Sequence, residues 1–287
     1  MNEDQVLELL KEKLCKVMSF SEDKFSPENM QEKHSNKAKF YLKNSSDNLY
    51  KREKHSKLDK RSNAIKSSAA MIFNTLGKDS FYWCNKKYNQ IKYEEELEAI
   101  LSGNDKSHNA HLDVRFIAED DSEIVFVESK LLEWFSSPKN LSPSYLEQKQ
   151  YINTTGEKKK DFINFFKSLL QEPNKKDSKG CFVGKFRKYD ALQMTIHILG
   201  IYNFFVNNKQ YKHIRLLNIV WDNKDCKQYQ NEVIQAKEYI TMVNKSLVPI
   251  FGECVFEVEY IPYSEFYSKL EFEDKSRKEY LKRYLLD

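Results

Sequence analysis

Asp113, Glu128 and Lys130 bring together the residue types that hydrolysis of a phosphodiester needs. An aspartate and a glutamate supply hard oxygen ligands for Mg²⁺. A lysine beside them can orient or activate a water and stabilise charge growing on a phosphate. The Glu-x-Lys triplet says little by itself, since the chain holds five, starting at Glu22, Glu128, Glu147, Glu157 and Glu273. Only the one at Glu128 follows a strand-like apolar run (124–127) and has an aspartate on a preceding strand across a short turn. The competing reading is a cross-strand salt bridge on an exposed sheet face, which contributes only ~0.2–1 kcal/mol. Apolar residues on both faces of 124–127 argue instead for a strand buried on both sides, where charges are costly without a function.

The elements that must position these residues form a hairpin. Residues 112–118 and 124–132 are β-rich runs around the acidic turn 119–123. Side chains at i and i+2 share a face of a strand. Leu112, Val114 and Phe116 therefore point one way, and His111, Asp113 and Arg115 the other. Glu128 and Lys130 share a face with Ile124 and Phe126. Paired strands lie roughly 5 Å apart, so Asp113, Glu128 and Lys130 converge where the charged faces coincide. Around the hairpin, apolar spacing predicts helices over 3–18, 63–76 (closed by Gly77), 161–170 and 189–206. The last is apolar nearly all round and is expected inside the protein. Strands are expected at 214–221 and 254–261, a charged terminal helix at 264–285, and a short acidic helix or extended segment at 93–101. Alternating helices and strands indicate an α/β fold.

The 287 residues, 40% hydrophobic and 31% charged, suit one large domain or one domain with an appendage. No apolar run approaches the ~18 residues of a membrane span, so no membrane partner is expected. The first residues are acidic and amphipathic and lack the regions of a signal peptide. Five cysteines, at 15, 84, 181, 226 and 254, show no C-x-x-C spacing. Reduced thiols in the cytoplasm are the expectation. Charge is segregated: Lys33 to Arg61 holds ten Lys/Arg against three Asp/Glu, whereas Ile91 to Glu133 holds twelve acids against four bases. A cationic flank beside an acidic centre suits a protein that holds a polyanion and concentrates carboxylates for metal ions. A solvated linker beside an acidic loop is the plainer account. Residues 1–60 read as a helical, basic N-terminal extension, with 33–61 as a flexible or DNA-draping segment, and 61–287 as the main domain.

Asp113, fourteen intervening residues, then Glu128-Ser129-Lys130 at the ends of two adjacent strands resembles the PD-(D/E)xK nuclease superfamily, which includes many restriction endonucleases. Residues 67–77 (SSAAMIFNTLG) and 189–203 (YDALQMTIHILGIYN) are similar to helices flanking the core in a branch of bacterial restriction endonucleases. The resemblance covers roughly 61–262, with the motif itself confined to 111–133. It implies a restriction-endonuclease-like α-β-β-β-α-β core with added N-terminal helices, and a Mg²⁺-dependent cut in double-stranded DNA, Mn²⁺ substituting. Asp113 and Glu128 would be the metal ligands and Lys130 the catalytic lysine. Leu112 stands where the motif name has proline. The family often adds an upstream acid; among Glu94, Glu95, Glu96 and Glu98, Glu94 is the first choice because Tyr93, Leu97, Ile100 and Leu101 supply the apolar side it adjoins. Restriction enzymes often dimerise to cut two strands, and the resemblance extends that expectation to a homodimer here.

Gln193 is a polar residue in an apolar helix, with His197 one turn later. An unsatisfied buried amide costs ~1–3 kcal/mol, so Gln193 is expected either to reach the hairpin or a DNA phosphate, as helix glutamines do in some relatives, or to be bonded within the core. His197 alone reads as a satisfied core histidine. Residues 180–186 (GCFVGKF) have three residues between the glycines and Phe after Lys, where a phosphate loop needs four and Ser/Thr. His108 and His111 have no nearby cysteine to complete a zinc site. The leading expectation is a metal-dependent DNA endonuclease of restriction or defence. The alternatives are a catalytically inactive DNA-binding module of the same fold, and a non-enzymatic α/β scaffold with a basic nucleic-acid or protein-binding region.

Overall fold

The computed structural model describes residues 1–25, 39–49, 63–101 and 107–286. Strands β1 (Phe81–Trp83), β2 (Lys86–Leu101), β3 (Ser107–Ala118), β4 (Glu123–Lys130), β5 (His213–Val220), β6 (Val255–Pro262) and β7 (Leu270–Glu271) form one sheet. Its order is β6-β5-β4-β3-β2-β1-β7. The β4–β5 and β5–β6 pairs are parallel and the others antiparallel. Helices α1 (Glu3–Met18), α2 (Ser68–Leu76), α3 (Gly156–Ser168), α4 (Ala191–Asn207), α5 (Lys227–Ser246), α6 (Tyr263–Ser268) and α7 (Lys275–Leu281) complete a mixed α/β fold. The parallel part of a sheet needs cover on both faces. Accordingly Ile124, Val125, Phe126 and Val127 of the central strand β4 are all fully buried.

Two apolar layers sandwich the sheet. One gathers α1, α2, α6 and α7 around Val114, Phe116, Val125 and Val127; the other gathers α3, α4 and most of the buried stripe of α5 around Ile117, Ile124 and Phe126. Helix α1 has the predicted limits because Asn2 and Gln5 cap one another and Ser19, left-handed at φ 53°, ends it. Its Val6, Leu7, Leu10 and Leu14 lie in the same layer as Leu281 and Tyr284 near the other end of the chain. Of the basic stretch 33–61, only 39–49 falls among the described residues, so the expected DNA-draping segment lies mostly outside them.

Several elements differ from the sequence reading. Helix α2 begins at Ser68, where the Ser67 hydroxyl caps the Ala70 amide. The acidic segment 93–101 belongs to a sixteen-residue strand, β2, whose Leu97 and Ala99 alternate inward between exposed Glu96 and Glu98. The twenty-residue α5 carries no broad apolar pattern; its buried residues are Tyr229, Glu232, Ala236, Tyr239 and Val243, a narrow stripe on a polar helix. The expected terminal helix is broken into α6, β7 and α7. Leu270 and Glu271 pair with β1, and Asp274 restarts the helix by accepting from the Ser276 amide.

Leu112, Val114 and Phe116 do not share a face. Ile91, Tyr93, Val114 and Phe116 pack in one layer, whereas Leu97, Ala99, Leu112 and Ala110 pack in the other. The switch occurs at Glu94, which is left-handed (φ 53°) and sits between the Tyr93–Val114 and Glu95–Leu112 pairs, across from Asp113. A left-handed residue inside a strand breaks the period-two alternation, so both strands turn over at this rung.

Helix α4 lies close on β2 and β3. A Cβ at Gly200 would meet Ala110 Cβ at 2.8 Å and Leu97 Cβ at 3.1 Å. Alanine is ordinarily ~1 kcal/mol better than glycine in a helix, but overpacking costs ~1–3 kcal/mol. Gly200→Ala is therefore expected to lower stability by about 1 kcal/mol, and Gly200→Val by more. Urea unfolding midpoints check this; an unchanged or raised midpoint for Gly200→Ala would mean the helix has room to shift.

Candidate active site

Hairpin β3–β4 holds the three residues. The β3–β4 ladder ends at the Val114–Val127 pair, and just beyond it the Asp113 side chain meets Ser129, the residue after Glu128. Strand β5 runs alongside in parallel, bringing Asn218 beside Glu128 and Val220 beside Lys130. Asn218 Nδ2 donates to the Glu128 carbonyl at 3.2 Å. Helix α4 crosses the same face. Asp190 caps its first turn by accepting from the Gln193 amide at 3.0 Å, which fixes Gln193 over the strand ends, with His197 one turn further in.

Lys130 Nζ lies 2.6 Å from Glu128 Oε1 and donates to Gln193 Oε1 at 2.8 Å. Gln193 Nε2 in turn donates to Glu128 Oε1 at 2.8 Å, closing a triangle of carboxylate, ammonium and amide. His197 Nε2 is 3.1 Å from Glu128 Oε2. Asp113 Oδ2 accepts from the Ser129 amide and from the Ser129 hydroxyl, each at 2.7 Å. Its Oδ1 accepts no hydrogen bond among the described residues. That Ser129 hydroxyl is also within 3.1 Å of the Ser68 carbonyl, which ties the site to the start of α2.

The two carboxyls are driven apart electrostatically. Burial and the neighbouring Glu128 push Asp113 up to about 7, against the two bonds from Ser129. Burial would also raise Glu128, but Lys130 and then His197 hold it at about 2. Burial opposes the charge on Lys130, yet Glu128 keeps it above the ordinary lysine range. One carboxylate is thus ionised and paired, while the other resists ionising beside it.

Asp113, Glu128, Lys130 and Gln193 therefore come together, and Gln193 reaches the hairpin. Glu94 lies across from Asp113 along the backbone. Glu95, by contrast, is buried in ion pairs with Lys92 (2.8 Å) and Arg115 (3.3 Å), and Glu96 accepts from Asn109. Sequence reasoning missed Ser129, Asn218 and the bond from His197 to Glu128. The four-residue spacing of Gln193 and His197 was the visible signal for the last. All five cysteines are free.

Among the described residues no three His, Cys, Asp or Glu side chains gather as a metal-binding group. The pair Asp113 and Glu128 nevertheless suits Mg²⁺, which is bound through one or two carboxylates with water and substrate oxygens completing the shell. The donor set carries this: Asp113 Oδ1 accepts from no described residue, and a divalent cation is the partner that would let both carboxylates ionise together. No helix among the described residues is long and apolar enough to cross a membrane. Comparison of the chain with protein-family models, with curated proteins and with solved structures finds no match.

Proposed function

We propose that the chain is a metal-dependent endonuclease that hydrolyses phosphodiester bonds in double-stranded DNA, acting in restriction or defence in the cytoplasm. The observation that carries this reading is the meeting of Asp113 and Glu128 at the end of the β3–β4 ladder, close enough for each charge to oppose the other, with Lys130 bonded to Glu128 and Gln193. The chain order α2, β1, β2, β3, β4, α3, α4, β5 supports a restriction-endonuclease-like core in which β1 and α3 are additions. A homodimer would let two such sites cut both strands.

Asp113 and Glu128 would hold Mg²⁺ or Mn²⁺. When bound, the ion supplies charge neutralisation and acidifies a coordinated water. The chain's own contribution is positional. Gln193 and His197 fix the two oxygens of Glu128, and Ser129 fixes one oxygen of Asp113. Lys130, held above its ordinary pKa, remains an ammonium and can meet the charge that develops on the phosphate.

A specific observation favours a second reading, a DNA-binding module without catalysis: both oxygens of Glu128 are already engaged by protein groups. The two readings part on plasmid and phage DNA incubated with Mg²⁺, Mn²⁺ or EDTA. The nuclease is expected to nick or linearise DNA with either metal, to do nothing in EDTA, and to lose cutting in Glu128→Gln. Binding without metal-dependent cutting would leave the module; cutting that persists in EDTA would remove the metal reading.

A further inference from the structure

A cavity of about 190 Å³ opens beside Lys130, between the turn at 136–139, the segment 188–190 that leads into α4, and helix α5. It is smaller than the ~300–1,000 Å³ of sites for drug-sized ligands, so it has room for a fragment such as a phosphate with its sugar. Lys139 and Lys188 line it, and neither forms an ion pair with any described residue. Lys185, close by, pairs with Glu238 at 3.3 Å. Lys139, Lys188 and Lys130 line one cavity with the acids Glu133, Asp190 and Glu232, and the two lysines lacking a carboxylate among the described residues are the groups there that can take an anion.

The other side of the cavity is of a different character. Glu232 of α5 lines it and is only 3% exposed. Its Oε2 is fully buried without a hydrogen-bond partner, and the Tyr189 hydroxyl nearby is likewise unpartnered. The Tyr260 hydroxyl lies close enough to Glu232 to pull its pKa down against the effect of burial. Burial and Glu133 push the Glu232 carboxyl well above its ordinary range, which favours the protonated form that can both donate and accept. Nothing in the triangle at Glu128 uses this carboxyl.

We propose that the cavity seats the sugar and phosphate of one nucleotide unit of the substrate strand, with Lys139 and Lys188 on its phosphate and Glu232 on a sugar oxygen. The unit is the one adjoining the phosphate at Lys130. This assignment rests on reading Asp113, Glu128 and Lys130 as a phosphodiester site. It is tested without cleavage, so that the two can fail separately.

Titrate the full chain in EDTA with a deoxynucleoside monophosphate, with inorganic phosphate and with the unphosphorylated nucleoside, following heat. The monophosphate is expected to bind at least about ten-fold tighter than either fragment. Lys139→Gln/Lys188→Gln and Glu232→Leu are each expected to weaken it by about ten-fold or more. Glu232→Gln, which keeps size, donor and acceptor, should stay within about three-fold of the native chain. If Glu232→Leu does not fold, the lysine pair and Glu232→Gln carry the test. No saturable nucleotide binding, equal binding of phosphate alone, or variants that bind like the native chain would each overturn the seat. Nucleotide binding with no metal-dependent DNA cutting would keep the seat and remove the nuclease.

Discussion

Lys130→Ala is expected to end DNA cutting while leaving DNA binding largely in place. Removing one preorganised group that stabilises transition-state charge lowers turnover by about 10²–10³-fold. The larger part of the effect here is indirect. Lys130 lies 2.6 Å from Glu128 Oε1 and shares Gln193 with it, so its loss leaves a buried carboxylate with only amide and imidazole partners. Breaking a buried ion pair by deleting one partner costs ~3–5 kcal/mol when nothing replaces it. With two hydrogen bonds remaining on Glu128, a loss of about 2 kcal/mol is expected. The pH profile identifies the cause. Glu128 is held at about 2, below its ordinary 4.5, so it contributes stability that is present above pH 4.5 and is lost as pH falls through 2. Without Lys130 that contribution shrinks, and the variant should be closest to the native chain at the acid end. Lys130→Met keeps the stem and removes only the charge; it should cut no better than the alanine variant. Cutting at the native rate by either variant would remove Lys130 from the chemistry.

The hairpin was legible in the sequence because two period-two runs flank an acidic turn, and a strand with no polar face must be central. The apolar helix α4 was legible for the same reason, since only an interior accommodates it. That Asp113, Glu128 and Lys130 converge where the charged faces of the hairpin coincide was expected, but the turnover at Glu94 was not. A left-handed glutamate has no local sequence signal, and its effect is to carry Leu112 into the opposite layer from Val114. Helix α5 was invisible for an opposite reason: a stripe of Tyr229, Ala236, Tyr239 and Val243 is too narrow to stand out among Gln, Lys and Glu. That omission also hid Glu232, because a buried acid looks like any surface acid until the helix bearing it is placed. Glu-x-Lys names its outer residues and leaves the middle one free. In this chain the middle residue, Ser129, provides both hydrogen bonds on Asp113.

Asp113→Asn is expected to abolish metal-dependent cutting and to make the protein more stable, a combination that ordinary damage to a fold does not produce. The Asp113 carboxyl titrates at about 7 in place of 3.8 because burial and Glu128 oppose its charge. A folded pKa raised above the unfolded value means that the folded state binds the proton more tightly. Stability contributed by this group is therefore full below pH 4 and declines as pH rises from 4 to 7. Integrated over that window the penalty at pH 8 is at most ~4 kcal/mol, and asparagine removes it while its oxygen can still accept from Ser129. Thermal unfolding of the native chain in EDTA should show falling Tm between pH 4 and pH 7, and the Asp113→Asn profile should be flatter, crossing above it near neutrality. At pH 8 Mg²⁺ should raise the native Tm, since a cation bound between Asp113 and Glu128 relieves their repulsion and binds only the folded state. The same ion should leave the variant nearly unmoved. Parallel pH profiles, or an equal Mg²⁺ shift in both proteins, would show that Asp113 is neither strained nor a metal ligand. The pair would then be a structural feature of the hairpin, with Glu128 and Lys130 closed on each other.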